Sequence, residues 1–339
     1  MTVCPTFDHL VVLPRLRVQN ANAISSPLTH GFPSITAFMG LSWALERKAR
    51  AAGLDLRIKG VGVVCHDHEE QVSGDRYVKN FHLTRNPVDK DGSTAAIVEE
   101  GRIHLTISLV LAVSSECWMS APDAAAAEAD LTKLTELLGG LRVAGGSCLP
   151  VAGTGRRKRP VVLPWTGTLD DKAQAFRGLR QFLLPGFALV LREDLLDKRL
   201  TELRTTQPES TPLDAWLSLS RMNWRWNPSA QEDDKSAPGS WQHDRKGLGW
   251  VVPIPVGYGA LGELHAPGAV ANARDATTPF RFTESVYSVG QWIAPHHLQA
   301  VEQLLWYADY APDAGLYRCR NDFVPSNDTQ LIDAWGDDD

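Results

Sequence analysis

The sequence has 339 residues, 43% of them hydrophobic and 22% charged, with a formal net charge of −6, so it is expected to be a globular chain of one or two domains rather than a disordered one. No run of 18 apolar residues and no signal-peptide pattern occurs, and the five cysteines are scattered without a C-x-x-C pair. A membrane span, a disulfide framework and a zinc site are thereby excluded, a reducing cytoplasmic setting is expected, and the acidic balance restricts any nucleic-acid contact to a local surface.

Residues 9 to 18 (H-L-V-V-L-P-R-L-R-V) read as a strand in which Pro14 marks an edge or a bulge. From Ser34, a candidate N-cap, Ile35, Phe38, Met39, Leu41 and Leu45 recur at helical spacing up to Gly53. Leu56, Ile58, Val61 and Val63 suggest a second strand. The alternation of Ile103, Leu105, Ile107, Leu109, Leu111 and Val113 gives the clearest strand of the chain. An alanine-rich helix from Pro122 stops at Gly139-Gly140, and residues 141 to 149 can supply a fourth strand. The order β-α-β-β-α-β predicts an α+β fold with a ferredoxin-like, RNA-recognition-type core over 1–150. An insertion at about 65–101 is too long and too polar for a hairpin turn.

The remainder, 151–339, is expected to be an elaborated C-terminal α/β extension. It contains a basic run, Arg156-Arg157-Lys158-Arg159, then a helix near 170–184, a strand in P-G-F-A-L-V-L and a helix over 192–203. A polar, turn-rich mobile loop is expected over 227–247, and an acidic tail closes the chain. Of eleven tryptophans, Trp216, Trp224, Trp226, Trp241 and Trp250 cluster in sequence; flanked by Arg221 and Arg225 they suit base stacking, core or a partner interface, and an interface is favoured.

There is no G-x-S-x-G, no phosphate loop with G-K-[ST] and no dinucleotide fingerprint. His66, Asp67, His68, Glu69 and Glu70 carry groups that bind metals or exchange protons, yet in an extended strand they alternate in direction and no second ligand cluster accompanies them. No metal, no cofactor and no catalytic residue is assigned. The segment from Arg15 to Ser34 differs in kind: two arginines lead into Gln19, Asn20, Asn22, Ser25, Ser26, Thr29 and His30, punctuated by Pro27, Gly31 and Pro33. Such a segment suits either the base edges, sugars and phosphates of an irregular RNA strand or a self-bonded system of Asx and Ser/Thr turns.

Several stretches resemble one family over almost the whole chain: L-P-R-L-R-V-Q-N-A-N-A-I-S-S-P-L-T-H-G-F-P-S, G-V-G-V-V-C-H, F-H-L-T-R-N-P, D-G-S-T-A-A-I-V-E-E-G-R, L-R-V-A-G-G-S-C-L-P, L-L-P-G-F-A-L-V and G-W-V-V-P-I-P-V-G-Y. The sequence is similar to the second subunits of Csy complexes, the 5′-handle-binding members of the Cas-five family in type I-F CRISPR systems. The resemblance implies a non-catalytic subunit of an RNA-guided surveillance (Cascade) ribonucleoprotein in antiviral defence. Its implied partners are the 5′ handle of the crRNA, a large tail subunit, an adjacent backbone subunit and, through the assembled complex, target double-stranded DNA. The insertion corresponds to the family's thumb. Carried onto these positions, the RNA-binding candidates are Arg17, Asn20, Asn22, Ser25, Ser26 and His30, then Arg85 and Asn86 with Arg102 at the thumb base, then Gly145, Gly146 and Ser147, and Arg274. Two alternatives stand beside this: a metal-independent endoribonuclease using His66, His68 or His82, and a purely structural adaptor.

Overall fold

The computed structural model describes residues 3–75, 78–85, 88, 91–120, 124–149, 155–227, 239–273 and 275–325. It is a mixed α/β fold built on a large antiparallel sheet. In chain order the elements are β1 (His9–Asn22), β2 (Ile24–Ser26), β3 (Thr29–His30), α1 (Ile35–Ala51), β4 (Arg57–Glu70), β5 (Val72–Gly74), β6 (Lys79–Phe81), β7 (Leu83–Arg85), β8 (Ile97–Glu99), β9 (Arg102–Ser114), α2 (Glu116–Ser120), α3 (Ala124–Gly139), β10 (Arg142–Val143), β11 (Gly146–Leu149) and β12 (Val161–Pro164). The second half adds α4 (Leu169–Phe182), β13 (Phe187–Leu191), α5 (Glu193–Thr206), α6 (Pro212–Leu219), β14 (Trp224–Asn227), β15 (Ser240–His243), β16 (Val251–Ala260), β17 (Thr283–Ile293), β18 (Leu305–Ala311) and β19 (Leu316–Asn321). Residues 228–238 of the mobile loop expected over 227–247 and most of the acidic tail fall outside the described residues, as do Asn86 and Arg274, whereas Ser240–His243 of that expected loop form strand β15.

The central sheet has the strand order β10-β11-β1-β9-β4-β13-β17-β16-β19-β18. Its first strands bury side chains on both faces, because alternate residues of β1 and β9 point oppositely. Val11, Leu13, Leu109 and Leu111 join α1 and α3 in one core, whereas Leu10, Val12, Val110 and Ala112 join α4 in another. Helix α1 begins at Ser34, whose side chain accepts from the Thr36 amide, and buries Ile35, Phe38, Met39, Leu41, Leu45 and Ala49 at helical spacing. A third core forms where α5 and α6 cover β16 and β17 around Trp216 and Val289.

Two boundaries differ from the sequence reading. Strand β4 does not end near Val63 but continues through the polar His66–Glu70 run, because β9 pairs with it as far as Glu70↔Ile103, with a bulge at His66. The inserted part therefore begins at Gln71 and comprises two small hairpins, β5–β6 and β7–β8. The place beside β1 is shared by two strands: β11 pairs with Arg17 to Gln19, and β12 with His9 to Val12.

The strands of the second half close into a ring. β4 pairs with β13 and, through Val61 and Gly62, with β18, so β4-β13-β17-β16-β19-β18 returns to its start. Glycine is required where this join is tight: a Cβ on Gly60 would lie 2.9 Å from the Trp306 carbonyl oxygen, and one on Gly62 would lie 2.6 Å from the Leu304 side chain. Trp306 is fully buried beneath the join and its indole N–H donates to Leu189 O at 2.8 Å.

Candidate nucleic-acid interface

Strand β1 loses its regularity after Leu13. Register shifts fall between Leu13 and Leu16 and between Val18 and Ala21, and Arg15 and Asn20 adopt left-handed conformations with φ of 50° and 55°. At the second shift the Asn20 amide donates to His104 Nδ1 at 3.2 Å, while the Gln71 carboxamide nitrogen lies 2.8 Å from Asn20 Oδ1 and 2.8 Å from His104 Nε2. Gly146 packs into this bulge; a Cβ there would lie 2.7 Å from Gln19 O and from Ala21 N. The need for glycine at 146 is thus met within the protein. Gly145, with φ of 80°, turns the β10–β11 hairpin with nothing within 4 Å of its Cβ position, and it is exposed beside Ser147.

Beyond Asn22 the chain folds into the β2–β3 hairpin. The Asn22 carboxamide donates to Ile24 O at 2.7 Å and accepts from the Ile24 amide at 3.1 Å. Ser25 Oγ and Ser26 Oγ each lie 2.7 Å from Thr29 Oγ1, and Ser26 Oγ accepts from the Leu28 amide at 3.1 Å. Gly31, with φ of 107°, donates its N–H to Ala23 O and closes the loop. The polar side chains of Asn22, Ser25 and Ser26 therefore hold the hairpin itself, as Asx and Ser/Thr turns do. His30 points outward, donates from Nδ1 to Glu70 Oε1 at 3.0 Å and packs edge-on against Phe81.

This hairpin separates two clefts that share Ser25, Pro33 and Ser34. One, of about 420 Å³, runs along α1 and is lined by Asn22, Thr36, Gly40, Arg142, Gly145 and Tyr258. The second, of about 500 Å³, has His30, His68, Glu70 and Lys79 on its rim and an aromatic floor that includes Phe187, Trp250 and Trp292. Arg17 is exposed, and its guanidinium has no ion-pair or hydrogen-bond partner among the described residues. Arg102 is held at the insertion's base by Glu100, with Nε and NH2 at 3.0 and 2.6 Å from one carboxylate oxygen. Arg85 lies on β7, in the outer hairpin of the insertion.

Sequence reading missed Arg142, Tyr258 and Lys79, which come to the clefts from elements distant in the chain. Arg142 and Tyr258 carried a signal, since they lie in the L-R-V-A-G-G-S-C-L-P and G-W-V-V-P-I-P-V-G-Y stretches; Lys79 carried none, because only the packing of β6 brings it to its cleft. Of the clustered tryptophans, Trp216 is core and donates to Ser288 O at 2.9 Å. Trp224, Trp226, Trp241 and Trp250 are half exposed, and Trp226 and Trp241 pair across the β14–β15 hairpin with ring centroids 5.6 Å apart.

Of the histidines considered for chemistry, His66 has both ring nitrogens engaged by the protein. His66 donates from Nδ1 to Pro185 O at 2.6 Å and accepts at Nε2 from Ser108 Oγ at 2.6 Å; burial pushes its pKa below the ordinary value. Among the described residues no group of three His, Cys, Asp or Glu side chains is arranged to hold a metal ion. No helix among them is long and apolar enough to cross a membrane.

Comparison with known proteins extends the resemblance read from the motifs. The family model described as CRISPR-associated protein (Cas_Csy2) matches residues 11–319. The CRISPR-associated protein Csy2 of Pseudomonas aeruginosa (strain UCBPP-PA14) is 47% identical over 315 residues, covering 92% of this chain and 94% of that protein. A match of this extent runs through β1, both clefts and the ring of strands alike, and the chain therefore belongs to the Csy2 family of CRISPR-associated proteins.

Proposed function

We propose that the chain is the subunit of a type I-F CRISPR surveillance complex that grips the 5′ handle of the guide RNA. In this reading it pairs with the large subunit, adjoins a backbone subunit and contributes to target DNA recognition without catalysis of its own. The observation that carries the reading is the position of the β2–β3 hairpin, folded in advance by its own hydrogen bonds between two clefts with Arg142 beside one and His30, His68 and Lys79 beside the other. A prefolded loop costs little entropy when a bent strand is laid over it, and clefts of this size on either side accept splayed bases. The order β11-β1-β9-β4, with α1 and α3 joined to one core, agrees with a ferredoxin-like, RNA-recognition-type unit.

Within the site the roles divide. Arg17, His30 and Arg142 are assigned to RNA, together with backbone exposed around Gly145 and Ser147. Asn22, Ser25 and Ser26 are assigned to holding the loop. The test is a photoreactive uridine at successive handle positions in the assembled complex. Crosslinks are expected within residues 15–34 and 80–105; their absence from both would leave the structural adaptor as the better account. Labelled repeat RNA incubated with the pure protein is expected to stay intact, and a discrete product abolished by His66→Ala, His68→Ala or His82→Ala would overturn the non-catalytic part.

A further inference from the structure

The stretches L-P-R-L-R and L-L-P-G-F, 170 residues apart in the chain, meet beside His66. Ser108 Oγ accepts the Arg15 amide N–H at 3.0 Å and donates to His66 Nε2, and His66 Nδ1 in turn donates to Pro185 O. Gly186 completes the lock, because a Cβ there would lie 2.6 Å from His66 Nδ1. The 184–186 segment and the bulge at Arg15 are thereby fixed relative to each other.

Onto this fixed platform two guanidinium groups converge. Arg15 NH2 donates to Leu184 O at 3.0 Å and Arg157 NH1 donates to the same oxygen at 3.5 Å. Neither has an acidic partner among the described residues. Burial lowers the pKa of Arg15, and the charge of Arg157 lowers it further, which records the mutual repulsion. One neutral carbonyl does not compensate two cations, and Arg15 is brought there by a left-handed backbone conformation that an arginine rarely adopts. A like-charged pair assembled at such cost, with most of its N–H donors unused, is complementary to an anion with several oxygens. Lys158 and Arg159 follow Arg157 on the surface and Arg17 follows Arg15 along β1, so the cationic surface continues on both sides.

We propose that Arg15 and Arg157 form a phosphodiester-binding site, separate from the handle hairpin, that engages the backbone of a nucleic acid strand in the assembled complex. A track of arginines and lysines suits a repeating polyanion better than a single carboxylate of a partner protein. The strand is either the guide RNA beyond its handle or the target DNA; the chemistry is the same for both. The site rests on the chain working inside an RNA-guided complex, and not on which residues of the hairpin touch the handle.

The experiment uses the complete complex carrying Arg15→Gln/Arg157→Gln or the charge-preserving Arg15→Lys/Arg157→Lys, with Arg50→Gln as a control. Guide RNA retention and target duplex affinity are each followed from about 50 to 200 mM salt. Loss of two phosphate contacts is expected to lower the slope of log affinity against log salt by about 1.4 to 1.8 in one arm, so that the variant's deficit is greatest at the lower salt and shrinks roughly tenfold at the higher. The lysine variant is expected to keep the slope. A change in the RNA arm assigns the strand to guide RNA, and a change confined to the DNA arm assigns it to target. Slopes unchanged in both arms overturn the proposal. So does release of a protein subunit without a change of slope, which would assign the pair to a partner's carboxylates. Should the double variant lose its fold, Arg157→Gln alone, an exposed side chain, is expected to lower the slope by about 0.7 to 0.9. Failure of the handle reading is separately visible, because Arg17→Ala would then leave handle crosslinking intact while these slopes still change.

Discussion

The two ends of β1 were built for different purposes from the same backbone. From His9 to Leu13 every side chain is buried, and successive residues alternate between two cores in unbroken register with β9. From Arg15 to Asn22 the register shifts twice, two non-glycine residues turn left-handed, and Arg17, Gln19, Asn20 and Asn22 face solvent. The regular end secures the strand, and that security is what allows the other end to hold costly conformations where ligand is proposed to bind. Perturbing each end tests whether the division holds.

The largest effect is expected at the regular end. Leu13→Ala empties a fully buried position in the core under α1 and should cost about 2 to 5 kcal/mol, read as a lower urea midpoint with an unchanged m-value. Next, Gly146→Ala forces a methyl group against the backbone of the second bulge and should cost about 1 to 3 kcal/mol, with Gly145→Ala limited to the strain of its positive φ. If Gly146→Ala is neutral, the bulge is softer than its contacts imply. Asn22→Ala removes a turn bonded at both ends and should cost about 1 kcal/mol, whereas Arg17→Ala should leave the melting temperature unchanged and weaken RNA retention. A matching loss of stability in both would erase the distinction between loop-holding and RNA-facing residues.

A pH effect comes from His66. Burial depresses its pKa in the folded protein below 6.5, so the unfolded chain takes up the proton first. Its contribution to stability is complete above that value and is lost as the pH falls below it. Urea midpoints should drop as the pH falls below about 6.5, and His66→Gln should flatten that drop. The smallest effect is expected for Arg50→Ala, which breaks an exposed i,i+4 pair with Glu46 and should change stability by less than about 0.5 kcal/mol.

Much of the first half was legible because its periodicities are driven by burial. The N-cap at Ser34, the heptad-like spacing to Leu45 and the alternation from Ile103 to Val113 each have one consistent structural solution, and the chain adopts it. β4 was cut short in the sequence reading because His66 to Glu70 is polar throughout and has no apolar alternation; its pairing partner, Ile103 to Thr106, lies beyond the insertion and was invisible to local pattern. β16 was hidden by Pro253 and Pro255, which read against a strand, yet it lies in the sheet between β17 and β19 with a register shift after Pro255. For the hairpin, composition left RNA contact and self-bonding open. The coordinates assign self-bonding to Asn22, Ser25 and Ser26, a result that depends on which hydroxyls meet Thr29 and cannot be read from spacing.

The closed ring through β4 has a consequence for exchange kinetics. Because Val61 to Cys65 take part both in the sheet with β9 and in the ring with β13 and β18, the ring cannot open at β4 without exposing the amides that bind the two parts together. Amide protons of Val61, Val63, Leu189 and Trp306 should therefore exchange with deuterium together, in the slowest class, at a rate set by global unfolding rather than by separation of the two parts. Movements that accompany assembly would then be confined to what hangs from this joint, namely the inserted hairpins after Gln71 and the β14–β15 hairpin, while the strand carrying the proposed RNA contacts keeps its position.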